Sequence, residues 1–354
     1  MRQTQRQLTF IDDAPVFPAT RFQGSKLKIV DWIWDAIKHL QFSTVLDAFG
    51  GTGSVGYMLK QKGKMVTYND TLKFNWFVGC ALIENNSIKL TDKDVVFILK
   101  KHEKIKYPTF AYDTFKNFYF TDEENHWIDT VVTNIGHIDD PYKKAIAYFA
   151  LFQSCIIKRP FNLFHRKNLY IRFADVKRNF GNKATWDKTF EAHFKKFVME
   201  ANRSVFSNGQ KNMALNLDIF DVKGNFDLVY IDTPYISKKG AGVDYFGFYH
   251  FLEGIVNYSS WNELIDYDTI NRRLKGEGSV WTDKKNIHAA FDRLFEKFKN
   301  SVLVVSYRSD GIPSIEELIT LLKKYKAKVE EFDRKTYKYV LSANRTEEVL
   351  LIAR

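Results

Sequence analysis

Cysteine is nearly absent from this 354-residue chain, which holds only Cys80 and Cys155. With no second Cys or His at ligand spacing, the two thiols form neither a zinc cluster nor a disulfide framework, and they read as buried side chains. Proline is scarce too: seven in all argues against a long disordered linker. Long apolar runs are also missing. Nowhere does the chain offer the about 18 consecutive apolar residues of a membrane span. Its polar opening, Met1 to Gln7, leads into no apolar core of a secretory signal. No repeat or low-complexity tract is evident, and the cytoplasm is the expected setting.

Rings and cations are plentiful. Hydrophobic residues make up 45% and aromatics 16%, enough to fill the core of one large α/β domain or two ordinary ones. The net charge of +11 is unevenly spread: residues 158–211 carry thirteen Lys or Arg against four acids. Lys158, Arg159, Arg166, Lys167, Arg172, Lys177, Arg178 and Lys183 lie here, interleaved with Phe161, Phe164, His165, Tyr170, Phe173 and Phe180. A charge run alone reads as a solvated basic face. Cations that neutralise phosphates, mixed with rings that stack on bases, favour a nucleic-acid surface.

Apolar periodicity outlines an interrupted α/β pattern. A short strand ends at Asp47, a glycine turn follows, and a helix from about Ser54 closes at Gly63. A second strand, Met65 to Tyr68, leads to Asn69-Asp70, and another helix covers about Lys73 to Glu84. Residues 96–211 are aromatic and mostly helical in period, so they read as an insert. The sheet resumes at Met213 to Asp218, then at the strand entering Asp232, and again at Ser301 to Tyr307. A helix opens at Ser314, with Glu317 in capping-box relation. A terminal hairpin pairs Tyr337–Leu341 with Val349–Ile352.

Two loops carry the chemistry. Asp47-Ala48-Phe49-Gly50-Gly51-Thr52-Gly53 follows a strand, as dinucleotide loops do, yet puts an acid where a pyrophosphate would be repelled. A cofactor with a cationic end fits better, and S-adenosylmethionine has one. Asp70, at the tip of the next strand, is placed to accept from ribose hydroxyls. Asp218 is either an acceptor for the cofactor's adenine amine or a helix N-cap. Upstream, Phe22, Gly24 and Lys26 look like a helix entry with a nearby cation, suited to an anionic group; a plain capped helix reads equally well.

The second loop is Asp232-Thr233-Pro234-Tyr235. Pro234 stiffens the turn, so adjacent carbonyls join the Asp232 carboxylate as acceptors for an exocyclic amine. Tyr235 offers a face for an extruded base. A proline turn with a core tyrosine is the plainer alternative. In the aromatic run 245–254, Tyr245 and Tyr249 are the rings suited to closing over a base, while His250 is read as structural.

The ordered set Phe22-x-Gly24-Ser25-Lys26, Asp47-x-Phe49-x-Gly51-x-Gly53, Asp70 and Asp232-x-Pro234-Tyr235, with a large insert between the cofactor and catalytic motifs, resembles the group alpha, Dam-like class of adenine-N6 DNA methyltransferases. The resemblance implies an α/β, Rossmann-like S-adenosylmethionine-dependent methyltransferase sheet formed by residues 1–95 and 212–354. Residues 96–211 would be a mostly helical target-recognition domain. It further implies that Phe22, Gly24, Lys26, Asp47, Phe49, Gly51, Gly53, Asp70 and Asp218 line the cofactor pocket, and that Asp232, Thr233, Pro234 and Tyr235 form the catalytic turn. Double-stranded DNA is the implied partner, in a restriction-modification setting with a partner endonuclease; the protein is expected to act as a monomer without metal. Thr233 departs from the family's usual proline. Cytosine N4, or silent DNA binding on the same fold, remain the alternatives.

Overall fold

In a computed structural model, the described residues are 15–175, 183–238, 240, 242–276, 278–337 and 346–354. The strands are β1 (Thr44–Asp47), β2 (Met65–Asn69), β3 (Met213–Leu215), β4 (Leu228–Ile231), β5 (Ile236–Ser237), β6 (Val302–Arg308), β7 (Gly311–Ile312), β8 (Val329–Tyr337) and β9 (Thr346–Ala353). Seven of them form one sheet in the order β3-β2-β1-β4-β6-β9-β8, and β5 and β7 make a separate pair. The first five strands of that order run parallel, while β9 is antiparallel to both β6 and β8.

Alternation along the strands explains the layering. Val45, Leu228, Tyr230 and Val304 face one apolar core, and Leu46, Val229, Leu303 and Val305 face the other. A sheet covered on both sides buries every strand position, which is why these strands read as unbroken apolar runs. From β1 the chain steps outward to β2 and β3 on one side, with β4 and β6 on the other. The crevice beyond the carboxyl ends of β1 and β4 is therefore the topological switch point where ligands bind such sheets.

The segment between β2 and β3 is helical, from Lys73–Gly79 to Phe190–Ser204. Its longest helix, Pro141–Ile157, opens on an Asp140 cap with proline in the first turn and is buried along most of its length. Phe115, Phe149 and Phe194 of these helices, with Tyr119 from the loop after Phe115, share a core with Val45, Val66 and Tyr68 of the sheet. Both cysteines are buried.

Candidate active site

Asp47, Asn69-Asp70 and Asp232 stand at the carboxyl ends of neighbouring parallel strands and line one cavity of ≈ 330 Å³. Phe22, Gly24, Lys26, Phe49, Gly51, Asp218, Thr233, Pro234 and Tyr235 line it as well. Gly53 does not; its positive φ of 75° opens the helix Ser54–Gln61 behind the loop. Gly51, with φ 50°, donates its N–H to Asp70 Oδ2 over 2.9 Å. Gly50 packs so closely on the Tyr68 ring that no Cβ fits there, and the Tyr68 hydroxyl donates to the Gly51 carbonyl at 2.7 Å. Tyr68 thus pins the turn from below.

Three of the carboxylates that line this space stand at the strand ends. Asp47 accepts the Gly56 N–H at 3.0 Å; burial, reinforced by the nearby Asp232 charge, pushes its carboxyl up to about 7. Asp70 accepts from the Leu72 and Gly51 N–H groups and from Asn75 Nδ2, yet burial still raises it to about 6. Asp232 is raised to about 6 by its enclosure, against the opposing pull of Lys26, although 19% of its side chain stays exposed. Carboxylates held near neutrality beside an apolar wall suit a cationic guest.

Lys26 lines the cavity but is engaged by two carboxylates of the protein. It is 3% exposed, and its Nζ lies 2.9 Å from Asp232 Oδ1 and 3.1 Å from Glu348 Oε1. Glu348, on β9, also accepts from Ser306 Oγ at 2.5 Å. Glu348 was missed: the second of two adjacent acids opening an apolar strand was its only signal. Arg308 was missed too. Its guanidinium lies 4.8 Å from the Tyr235 ring centroid and pairs with Asp310 at 2.5 Å. The β5–β7 pair fastens the chain just beyond Tyr235. Trp281 adds an edge-on ring 5.0 Å from Phe49.

Asp218 Oδ1 accepts the Phe220 N–H at 2.8 Å, so it opens a turn while lining the cavity. Thr233 Oγ1 and Gln23 Nε2 are buried with no protein partner among the described residues. Tyr245 lines the cavity, and the Tyr249 hydroxyl takes the Gln23 N–H at 2.8 Å. His250 sits between Tyr119 Oη and the Phe164 carbonyl, with burial driving its imidazole down to about 3. It is a neutral core group.

The basic segment divides. Arg166, Lys167 and Lys183 are exposed, and Lys177 and Arg178 lie outside the described residues. Lys158, Arg159 and Arg172 point inward, against expectation. Lys158 and Arg172 clamp Glu124, each at 2.6 Å. Arg159 is buried, bonded to the carbonyls of Leu163, Tyr119 and Arg166 and packed on the Tyr119 ring. A cation buried with its donors turned to carbonyls inside the protein is withdrawn from phosphate. Among the described residues no group of three or more His, Cys, Asp or Glu side chains is arranged to hold a metal ion, and no helix is long and apolar enough to cross a membrane.

Sheet order, strand-end acids, glycine turn and Asp-Thr-Pro-Tyr turn together define a Rossmann-like methyltransferase. The sequence matches the D12 class N6 adenine-specific DNA methyltransferase family over residues 22–275. The chain belongs to that family, and it is an adenine-specific DNA methyltransferase. It is similar to the type II methyltransferase M2.HphI of Haemophilus parahaemolyticus, with 30% identity covering 89% of this chain and 90% of the relative. Similarity to M.FokI of Planomicrobium okeanokoites is 27%, covering 86% of this chain and 47% of that protein. For the modification methylase LlaI of Lactococcus lactis subsp. lactis it is 26%, covering 86% and 49%. The chain spans about half the length of these last two.

Proposed function

We propose that the cavity beyond β1 and β4 holds S-adenosylmethionine and the target adenine of a duplex together, with Asp232-Thr233-Pro234-Tyr235 as the catalytic turn. The fit rests on the donor set. Asp47 and Asp70 offer acceptors but no cation to neutralise a phosphate, which favours a ligand with an ammonium end and ribose hydroxyls. Phe49 and Trp281 add apolar ring surface for a purine. When bound, S-adenosylmethionine supplies an electrophilic sulfonium methyl.

The chain's own residues do the rest. The Asp232 carboxylate and a carbonyl of the turn accept the two N6 hydrogens and stabilise the positive charge that grows on nitrogen as it attacks. Lys26 holds Asp232 in place and favours its ionised form. Tyr235, backed by Arg308, gives the base a flat surface, and Tyr245 and Tyr249 close the cavity wall. Thr233 keeps the main-chain carbonyl that proline would offer and adds a hydroxyl. Residues 96–211 are proposed as the target-recognition part, with Arg166, Lys167 and Lys183 meeting phosphates and the exposed Tyr170 and Phe173 beside them. Action as a monomer, with a companion endonuclease and no metal, belongs to the same reading.

The observation that carries the proposal is the convergence of Asp47, Asp70 and Asp232 on one cavity. Asp232→Ala tests it. Labelled methyl transfer to duplex DNA is expected to vanish while equilibrium binding of S-adenosylmethionine stays near that of the parent. Near-normal transfer by the variant contradicts the role given to Asp232.

A further inference from the structure

Outside the insert, one loop presents an apolar side chain that the fold leaves uncovered. Ile270 is 83% exposed, and a single exposed aliphatic residue is ordinary in itself. Its setting is not. The loop is closed at its base by the Ile265–Leu274 bridge, whose side chains are both buried. Above the base, Asp266 N–H donates to the Arg273 carbonyl at 2.8 Å, Lys275 N–H to the Leu264 carbonyl at 2.7 Å, and Arg272 N–H to the Thr269 carbonyl at 3.0 Å. Thr269 Oγ1 donates to the Asp266 carbonyl at 2.7 Å and takes the Arg273 N–H at 3.0 Å. Next to the tip, the Asn271 carbonyl receives the buried Tyr119 hydroxyl at 2.9 Å. A backbone so tied loses little entropy when its side chain is pressed into a partner.

Charge and position identify that partner. Arg272, Arg273 and Lys275 follow the tip, while Asp266 and Asp268 precede it. Arg272 and Lys167 both lie over one ring, Phe118, at 5.1 and 3.6 Å from its centroid. The loop therefore adjoins the basic segment proposed above to meet phosphates. It also adjoins the catalytic cavity: Arg273 lines a smaller recess of ≈ 250 Å³ whose walls include Asp244, Phe246, Ser279 and Thr282, all of which line the main cavity as well. On the outgoing limb, Gly276 abuts Phe246, where an added Cβ would stand 2.8 Å from the ring. Three residues of extended chain span about 10 Å, so the Ile270 backbone is held within about that distance of the backbone of Arg273, which lines the recess.

We infer that Ile270 is a wedge that enters the duplex where the target adenine leaves it. An extruded base leaves a gap with two unstacked neighbours, and a rigid apolar side chain recovers part of the lost stacking. Recognition of the target would then be shared between the helical insert and a loop of the catalytic half. The inference rests on the proposed function, since it requires a flipped base.

The test uses the full-length protein and its mapped target duplex, carrying either a paired adenine or the same adenine opposite an abasic site, which removes the cost of unpairing. Wild type is expected to methylate both. Ile270→Ala is expected to lose about tenfold in kcat/KM on the paired target, recover on the abasic partner, and give weaker 2-aminopurine fluorescence at the target position. Ile270→Leu should restore the paired rate. Equal loss on both substrates, or no loss, overturns the wedge. Absence of adenine methylation by wild type would instead overturn the function on which it rests.

Discussion

Replacing Asp47 by asparagine should stabilise the ligand-free protein as pH rises, while costing it its cofactor. In the folded state this carboxyl rises from 3.8 to about 7, and each pH unit is about 1.4 kcal/mol. The sign follows from proton binding. Between those two values the native state keeps a proton that the unfolded chain has released, so stability is full below 3.8 and is lost as pH climbs through about 7. The whole loss comes to about 4 kcal/mol above pH 7, of which about 3 kcal/mol falls between pH 5 and pH 8. Asparagine keeps an oxygen to receive the Gly56 N–H but has no proton to lose. Urea unfolding of both proteins at pH 5 and pH 8 measures the difference directly. The variant's advantage should be larger at pH 8 by about 3 kcal/mol, and its affinity for S-adenosylmethionine should fall. A stability difference that does not change with pH, or an advantage that grows towards acid, refutes the reasoning.

Other consequences follow from the same geometry. Methyl transfer should decline as pH falls through about 6, where Asp232 takes up a proton and loses the negative charge that holds its share of the amine hydrogens; a pH–rate profile flat from 5 to 8 contradicts this. Lys26→Met leaves Asp232 and Glu348 facing each other without their shared cation and should cost about 3 to 5 kcal/mol in urea unfolding. Thr233→Val removes a buried hydroxyl with no protein partner among the described residues and should gain about 1 kcal/mol with transfer preserved; a large drop in kcat would assign the hydroxyl a role in the reaction. Lys167→Ala should weaken DNA binding and reduce the salt slope by about 1, whereas Arg159→Met should lower stability and leave that slope unchanged.

The sequence disclosed the site in proportion to how local its signals were. A strand, a glycine turn and an acid at the strand tip lie within thirty residues of one another, and Asp47, Gly51 and Asp70 meet as their spacing implied. Ser314 and Glu317 form the capping box that their separation called for. A terminal antiparallel pair is present, formed by Val329–Tyr337 and Thr346–Ala353; residues 338–341 of the expected first strand lie outside the described residues, and the earlier start at Val329 was hidden because the polar, mostly exposed stretch 330–336 lacks the alternation of a half-buried strand. What stayed hidden depends on partners far along the chain. Glu348 reaches Lys26 across more than 300 residues, and nothing near Glu124 announces that it would draw Lys158 and Arg172 inward. Charge runs record how many cations are available; the fold decides which ones reach solvent.

The central claim meets its most direct test in the transfer of labelled methyl groups from S-adenosylmethionine to unmethylated duplex DNA, with single-base mapping of the product. Methyl on adenine N6 within one sequence context, lost on Asp232→Ala, is the expected result. Methyl on cytosine N4, or no transfer despite measurable binding of both cofactor and DNA, would contradict it.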